Sequence, residues 1–218
     1  MLAIVSGTFL LASAIALIGR PTVEAGALVL AGFLLLRELV LQVPAVVAHP
    51  LMEASWYSVS EDLVLLAGAW TIFSLLPPDR GALAKFRQVR AGQILFALAL
   101  PAIGLSHMFY LDQTAPLIPP WLPLHVPLAY FTGAAHIAAG AAILFDVLAR
   151  LAATLEAVMV SLFTLLVWVP TLSASPANRF DWAEICVSTA IAGAAWAVAE
   201  SFRGRSWSWQ RETRAKLS

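Results

Sequence analysis

Seven times along the chain, sixteen or more residues pass with few charges: at 1–19, 25–44, 61–76, 91–109, 125–147, 152–170 and 181–200. Wound as helices at about 1.5 Å per residue, runs of this length approach the roughly 30 Å thickness of a bilayer's hydrocarbon. A soluble fold would have to cover them with polar surface, which is scarce: 61% of the 218 residues are hydrophobic and 12% are charged. Lipid must therefore be the solvent, and a lipid-exposed backbone has to satisfy its own hydrogen bonds. The pattern predicts an all-α, polytopic seven-helix transmembrane bundle.

The opening run, "MLAIVSGTFLLASAIALIG", has no basic segment before it and a poor cleavage pattern after it, so it reads as a retained helix. The third run is short unless its helix starts near Tyr57. Pro44, Pro77, Pro78, Pro127 and Pro170 are expected at or near helix ends and Pro101 as a kink inside the fourth helix, with no helix interrupted.

Charge orients the bundle. Arg20, Arg80, Lys85, Arg87, Arg90, Arg150, Arg203, Arg205, Arg211, Arg214 and Lys216 fall on one side, and Arg179 alone on the other. Loops rich in Lys and Arg stay cytoplasmic. The expectation is a multi-pass protein of the cell inner membrane, N-terminus outside and C-terminus inside. Trp56, Tyr57, Trp121 and Trp182 would mark the outer interface, and Trp207 and Trp209 the inner one. The basic tail "RGRSWSWQR" follows a span, so its partner is anionic lipid rather than nucleic acid.

Residues 1–70 align with 127–196 without gaps at a constant shift of 126: Gly7 on Gly133, Val43-Pro44 on Val169-Pro170, Pro50 on Pro176, Trp56 on Trp182, and Ala69-Trp70 on Ala195-Trp196. Matched tryptophans and prolines are harder to obtain by chance than matched leucines. A shift of four spans preserves orientation, so this predicts a degenerate parallel repeat of a four-helix unit. The domains read as a three-helix partial repeat at 1–80, a complete four-helix unit at 81–200, and a basic cytoplasmic tail at 201–218. Leu10 stands in the place of His136, so the second unit is the better home for a site, with the first unit as scaffold or as its other wall.

His107 near the end of the fourth helix and His136 inside the fifth are the leading candidates, because an imidazole in hydrocarbon needs a partner or a wet cavity. Phe109, Tyr110 and Trp121 would line such a site. The two histidines are expected at heights differing by about 10 to 15 Å at helical rise, too far apart to share a metal. Arg37 would hold an anionic head or an oxygen of a semiquinone-like ligand, or pair with Glu61 or Asp62. Glu156 is expected one turn into the sixth helix as a favourable N-terminal charge, and Asp62 and Asp181 as caps or first-turn charges. "IPPWLP" would set an aromatic wedge over the bundle mouth, with His125 at the interface. Cys186 stands alone, excluding an internal disulfide, and there is no CxxC, HExxH or glycine-rich phosphate cradle. These residues point to no metal and no covalent cofactor, and they assign no catalytic activity.

The stretches "AGQILFALALPAIGLSHMFY", "IPPWLPLHVPLAYFTGAAHIAAGAAIL", "RLAATLEAVMVSLFTLLVWVPTL" and "DWAEICVSTAIAGAAW" resemble the DoxX-like family of four-helix bacterial membrane proteins over about residues 88–200. "LRELVLQVPAVVAHP" is similar to the family's third helix and its exit. The resemblance carries a basic residue at the end of the first helix onto His107, a Trp-containing proline loop onto Pro120, Trp121 and Pro123, and helix glycines onto Gly133 and Gly140. It implies a membrane redox setting, since relatives serve thiosulfate and quinone oxidoreduction or the maturation of periplasmic redox enzymes. The expected function is binding of a quinone- or lipid-like ligand near the outer leaflet, with membrane lipids and a membrane or periplasmic redox protein as partners. The alternatives are a non-catalytic assembly subunit and a small-solute transporter.

Overall fold

The computed structural model describes residues 2–77 and 86–208, and every regular element in them is helical. In chain order these are α1 (Leu2–Ile18), α2 (Val23–Ala48), α3 (Glu53–Leu75), α4 (Val89–Phe109), α5 (His125–Leu144), α6 (Ala149–Ala174) and α7 (Arg179–Glu200). Among the described residues, α2 to α7 are long and apolar enough to cross a membrane, and α1 supplies a shorter apolar helix over Ser6–Ile18. The chain is thus a polytopic, all-helical membrane protein. Arg80, Lys85, Pro78, Trp209, Arg211, Arg214 and Lys216 lie outside the described residues.

Two helices continue where the sequence predicted that they stop. Pro44 and Pro170 lie inside α2 and α6, each preceded by one widened π-type turn, Glu38–Gln42 and Thr164–Trp168. Proline cannot donate to the carbonyl four residues back, and its ring clashes with that carbonyl. The wider turn carries the helix up to the proline on a five-residue pattern: Val43 N–H donates to Glu38 O, and Val169 N–H to Thr164 O. The expectation of uninterrupted helices is corrected accordingly. α3 begins at Glu53, so Asp62 sits well inside it and caps nothing, whereas Asn178 caps α7 by accepting from Phe180 N–H at 3.0 Å.

Helix ends recur at one spacing. Ile18 and Leu144 both end helices, Val23 and Ala149 both start them, and so do Glu53 and Arg179, each pair being 126 positions apart. Trp56 Nε1 donates to Pro50 O at 2.9 Å, and Trp182 Nε1 donates to Pro176 O at 3.0 Å, across equal spans of chain.

The core lies among α3 to α7, where Val64, Phe96, Leu100, Ile143, Ala157 and Val198 are buried. α4 and α5 touch backbone to backbone: a Cβ at Gly133 would sit 2.6 Å from Gly104 O, and one at Gly104 would collide with Gly133 O. Only glycine at both positions permits this approach. At the end of the bundle that carries the basic residues, Arg90 donates to the last carbonyls of α5, Ile143 O at 3.0 Å and Leu144 O at 2.6 Å. Arg150 stacks on Trp207, its guanidinium 3.9 Å from the ring centre, and Arg205 pairs with Asp146.

Candidate ligand-binding cavity

A cavity of about 450 Å³ opens among α3 to α7 beneath the connection between α4 and α5. That size accommodates a drug-sized organic molecule. Leu100, Ile103, Phe163, Val187 and Ile191 give it apolar walls, and Ile118, Pro119 and Leu122 of the proline-rich connection close over it. On one flank its lining residues Phe131, Leu162 and Leu166 are themselves exposed at the outer surface of α5 and α6, so this flank faces the bilayer.

His107 and His136 both line it, with ring centres 5.2 Å apart. The expected height difference of about 10 to 15 Å is wrong, and the glycine contact explains why. It sets Gly133 against Gly104, and His107 Cβ lies 3.0 Å from where a Cβ on Gly133 would be. α5 therefore extends past the end of α4, and His136 lies one helical turn from the level of His107. Phe163 packs against both rings, its centre 6.0 Å from each.

The residue that sequence reasoning passed over is Glu156. α6 starts at Ala149, so Glu156 lies two turns in, and it is 2% exposed. His136, equally buried, donates from Nδ1 to Glu156 Oε1 at 2.7 Å. A carboxylate in hydrocarbon demands such a partner; the signal in the sequence was a lone glutamate in a span facing a lone histidine in the span before it. The pair leaves His136 Nε2 and Glu156 Oε2 buried with no hydrogen-bond partner among the described residues.

Several other polar groups of the lining are committed. Thr132 donates to Ala129 O at 3.0 Å, so it accepts from His107 Nδ1 at 2.9 Å, which leaves His107 Nε2 as the acceptor nitrogen. Tyr57 is in the cavity wall, donating to Glu61 Oε1 at 2.8 Å. Ser106 donates to Ile103 O at 2.7 Å, and Ser188 and Thr164 bond each other at 2.6 Å. The lining thus offers a ligand mainly acceptors.

Of the six residues singled out from sequence, the cavity brings together His107 and His136. Phe109 and Trp121 are two-thirds exposed, and with Tyr110 they fall outside the lining. Arg37 is on α2, where it binds Asp62 at 3.0 Å, and Gln42 Nε2 donates to the same carboxylate at 3.1 Å. His125 lies near the connection, 3.3 Å from Pro119 O. Among the described residues no group of three or more His, Cys, Asp or Glu side chains is placed to hold a metal ion.

No family model, curated protein or solved structure matches the chain.

Proposed function

We propose that the protein binds a lipid-soluble amphiphile that enters from the bilayer and buries its polar head against His136, Glu156 and His107. The observation that carries this is the pair of unpartnered acceptors, His136 Nε2 and Glu156 Oε2, on the wall of a cavity of about 450 Å³. Buried acceptors without donors cost about 1 to 3 kcal/mol each, so a ligand carrying hydroxyl or N–H groups gains what the protein alone forgoes. A quinol-type head meets that requirement, and the resemblance to the DoxX-like family points the same way, toward a membrane redox system with a membrane or periplasmic redox protein as partner. In this reading α4 to α7 carry the histidine–carboxylate site, and α1 to α3 are the remnant of a duplicated copy whose α3 supplies the other wall. The basic end faces the cytoplasm and the cavity opens toward the outer leaflet of the inner membrane.

A small-solute transporter is the second reading. It is favoured by the two proline-associated π turns at matching places in α2 and α6, since paired helix irregularities are a mark of transporters built from repeats. An assembly subunit needs no cavity of this size.

The test is mass spectrometry of lipid extracts from protein purified out of native membranes, for the wild type and the His107→Ala, His136→Leu and Glu156→Leu variants. A defined molecule retained by the wild type and lost in the variants supports the ligand site. Equal retention in all four, or no specific molecule in any, sinks it.

A further inference from the structure

The cavity's charge narrows the ligand further. Glu61, Glu156 and Glu184 line it, and among the described residues no lysine or arginine does. Arg37, the cation carried by α2, is bound to Asp62, next in sequence to Glu61, and is not part of the lining. Even with Glu156 set aside because His136 is bonded to it, Glu61 and Glu184 still have no basic counterpart in the wall. Tyr57 gives Glu61 one hydrogen bond but no charge.

Carboxylates withdrawn from water favour a neighbouring positive charge, and an anion placed among them is repelled. The hydrogen-bond inventory agrees, because the hydroxyls of Tyr57, Ser106 and Thr132 already donate to protein acceptors while Glu156 Oε2 and His136 Nε2 remain open. An ammonium group supplies both positive charge and N–H donors. The volume and the apolar walls exclude a bare metal ion as the natural occupant: about 450 Å³ bounded by Leu100, Ile103, Phe163, Val187 and Ile191 needs hydrocarbon to fill it. Phe163 and Tyr57 add aromatic faces on which a cation is attracted.

Resting on the reading of this cavity as an amphiphile site, and replacing the quinol-type head with a charged one, we infer that its preferred ligand is an organic cation with an apolar body, an amine-bearing amphiphile, rather than a neutral or anionic one. Glu61 and Glu184 select the charge, and Glu156 with His136 accepts the head's protons in hydrogen bonds.

The experiment uses the full-length protein in nanodiscs of zwitterionic lipid and three probes that share one ring system: 1-naphthylmethylamine, 1-naphthalenemethanol and 1-naphthoate. Binding is read by equilibrium dialysis against discs without protein. The amine should bind at least about tenfold more tightly than the alcohol, with the carboxylate weakest. Glu61→Gln and Glu184→Gln should each cut that margin severalfold, with circular dichroism and thermal unfolding reporting that the variants are folded. Alcohol binding as tight as amine binding overturns the charge preference and leaves the amphiphile site standing. Carboxylate binding tightest of the three overturns it as well. Failure of all three to exceed the discs overturns both the preference and the site.

Discussion

Helices α1 to α3 and α5 to α7 share a frame and differ in what they bury. Helix starts, π turns, prolines and the Trp-to-Pro hydrogen bond recur 126 positions apart. Yet His136 and Glu156 of the second half stand where the first half has Leu10 and Leu30. At the π turns the exchange runs the other way. The first half buries Glu38 and Asp62 where the second has Thr164 and Ser188, a pair of hydroxyls that satisfy each other. Backbone geometry therefore tolerates either chemistry at these places, and charge has been placed by each half separately. A histidine–carboxylate pair that the frame does not need is better explained by what it can bind.

That view is tested most strongly by giving the second half the residues of the first. Glu156→Leu alone leaves His136 buried with no acceptor and should destabilise the protein by about 3 kcal/mol, the usual scale for breaking a buried pair. Adding His136→Leu reproduces the Leu10 and Leu30 arrangement and should recover most of the loss, since replacing both partners by apolar groups is close to neutral. Denaturant titration in detergent of wild type, both single variants and the double gives the coupling directly. Additive losses would mean that the two side chains do not act as a pair.

The glycines sharpen the same contrast. Gly133 touches the backbone of α4, whereas at Gly7, its counterpart, an added Cβ meets nothing within 4 Å. Gly133→Ala should cost about 2 kcal/mol through overpacking and should push His136 away from His107, weakening ligand retention. Gly7→Ala should be neutral or stabilise by up to about 1 kcal/mol, as alanine favours an uncrowded helix. Thermal unfolding of the two variants side by side checks this, and equal effects would deny α4–α5 contact its special role in setting the site.

Much of the fold was legible because lipid leaves few choices. Apolar runs of spanning length must become helices, and the spacing of 126 between tryptophans and prolines in the sequence is also the spacing between helix ends. The helix ends at Pro44 and Pro170 were misread because proline is a stop signal only where the backbone cannot widen by one residue. At the site, the two histidines stood out as isolated polar groups in grease, but the distance between them did not follow from counting residues. Their proximity depends on the stagger that Gly104 and Gly133 allow, which is a property of two helices together. Glu156 was missed for a related reason: its depth depends on where α6 begins, and the turn Leu148-Ala149 gives little warning of that. Arg37 and Asp62 lie on different helices, and sequence offered Glu61 as an equal partner. The geometry chose Asp62 because Glu61, about 100° around α3, faces the cavity instead.

That choice makes a smaller prediction about the first half. Arg37 is partly exposed, so its bond to Asp62 is screened and Gln42 remains as a second donor. Arg37→Leu should cost about 1 kcal/mol, and Asp62→Ser in the same protein, copying Ser188, should restore it. Neither change should alter ligand retention, because neither side chain lines the cavity. A loss of ligand with Arg37→Leu at unchanged stability would instead give the α2 cluster a share in binding.

The smallest effect expected is also the most direct comparison of the two frames. Trp56 and Trp182 each tie the first turn of a helix to a proline carbonyl six residues back, and each indole is about half exposed. Phenylalanine keeps the ring and removes the N–H, so the carbonyl turns to water and the loss should be near the low end for a hydrogen bond, about 0.5 kcal/mol. Trp56→Phe and Trp182→Phe should therefore shift unfolding midpoints equally and add in the double variant. Their neighbours make the result informative. Tyr57 follows Trp56 and Glu184 lies two residues beyond Trp182, so each indole braces a helix that presents a polar group to the cavity from its own half. If one substitution costs much more than the other, the two loops are held by different forces, and the matching bonds are a coincidence of geometry. If the costs match while only Trp182→Phe loosens the ligand, the shared frame holds α3 and α7 alike at their first turns, and the binding chemistry draws on α7 alone.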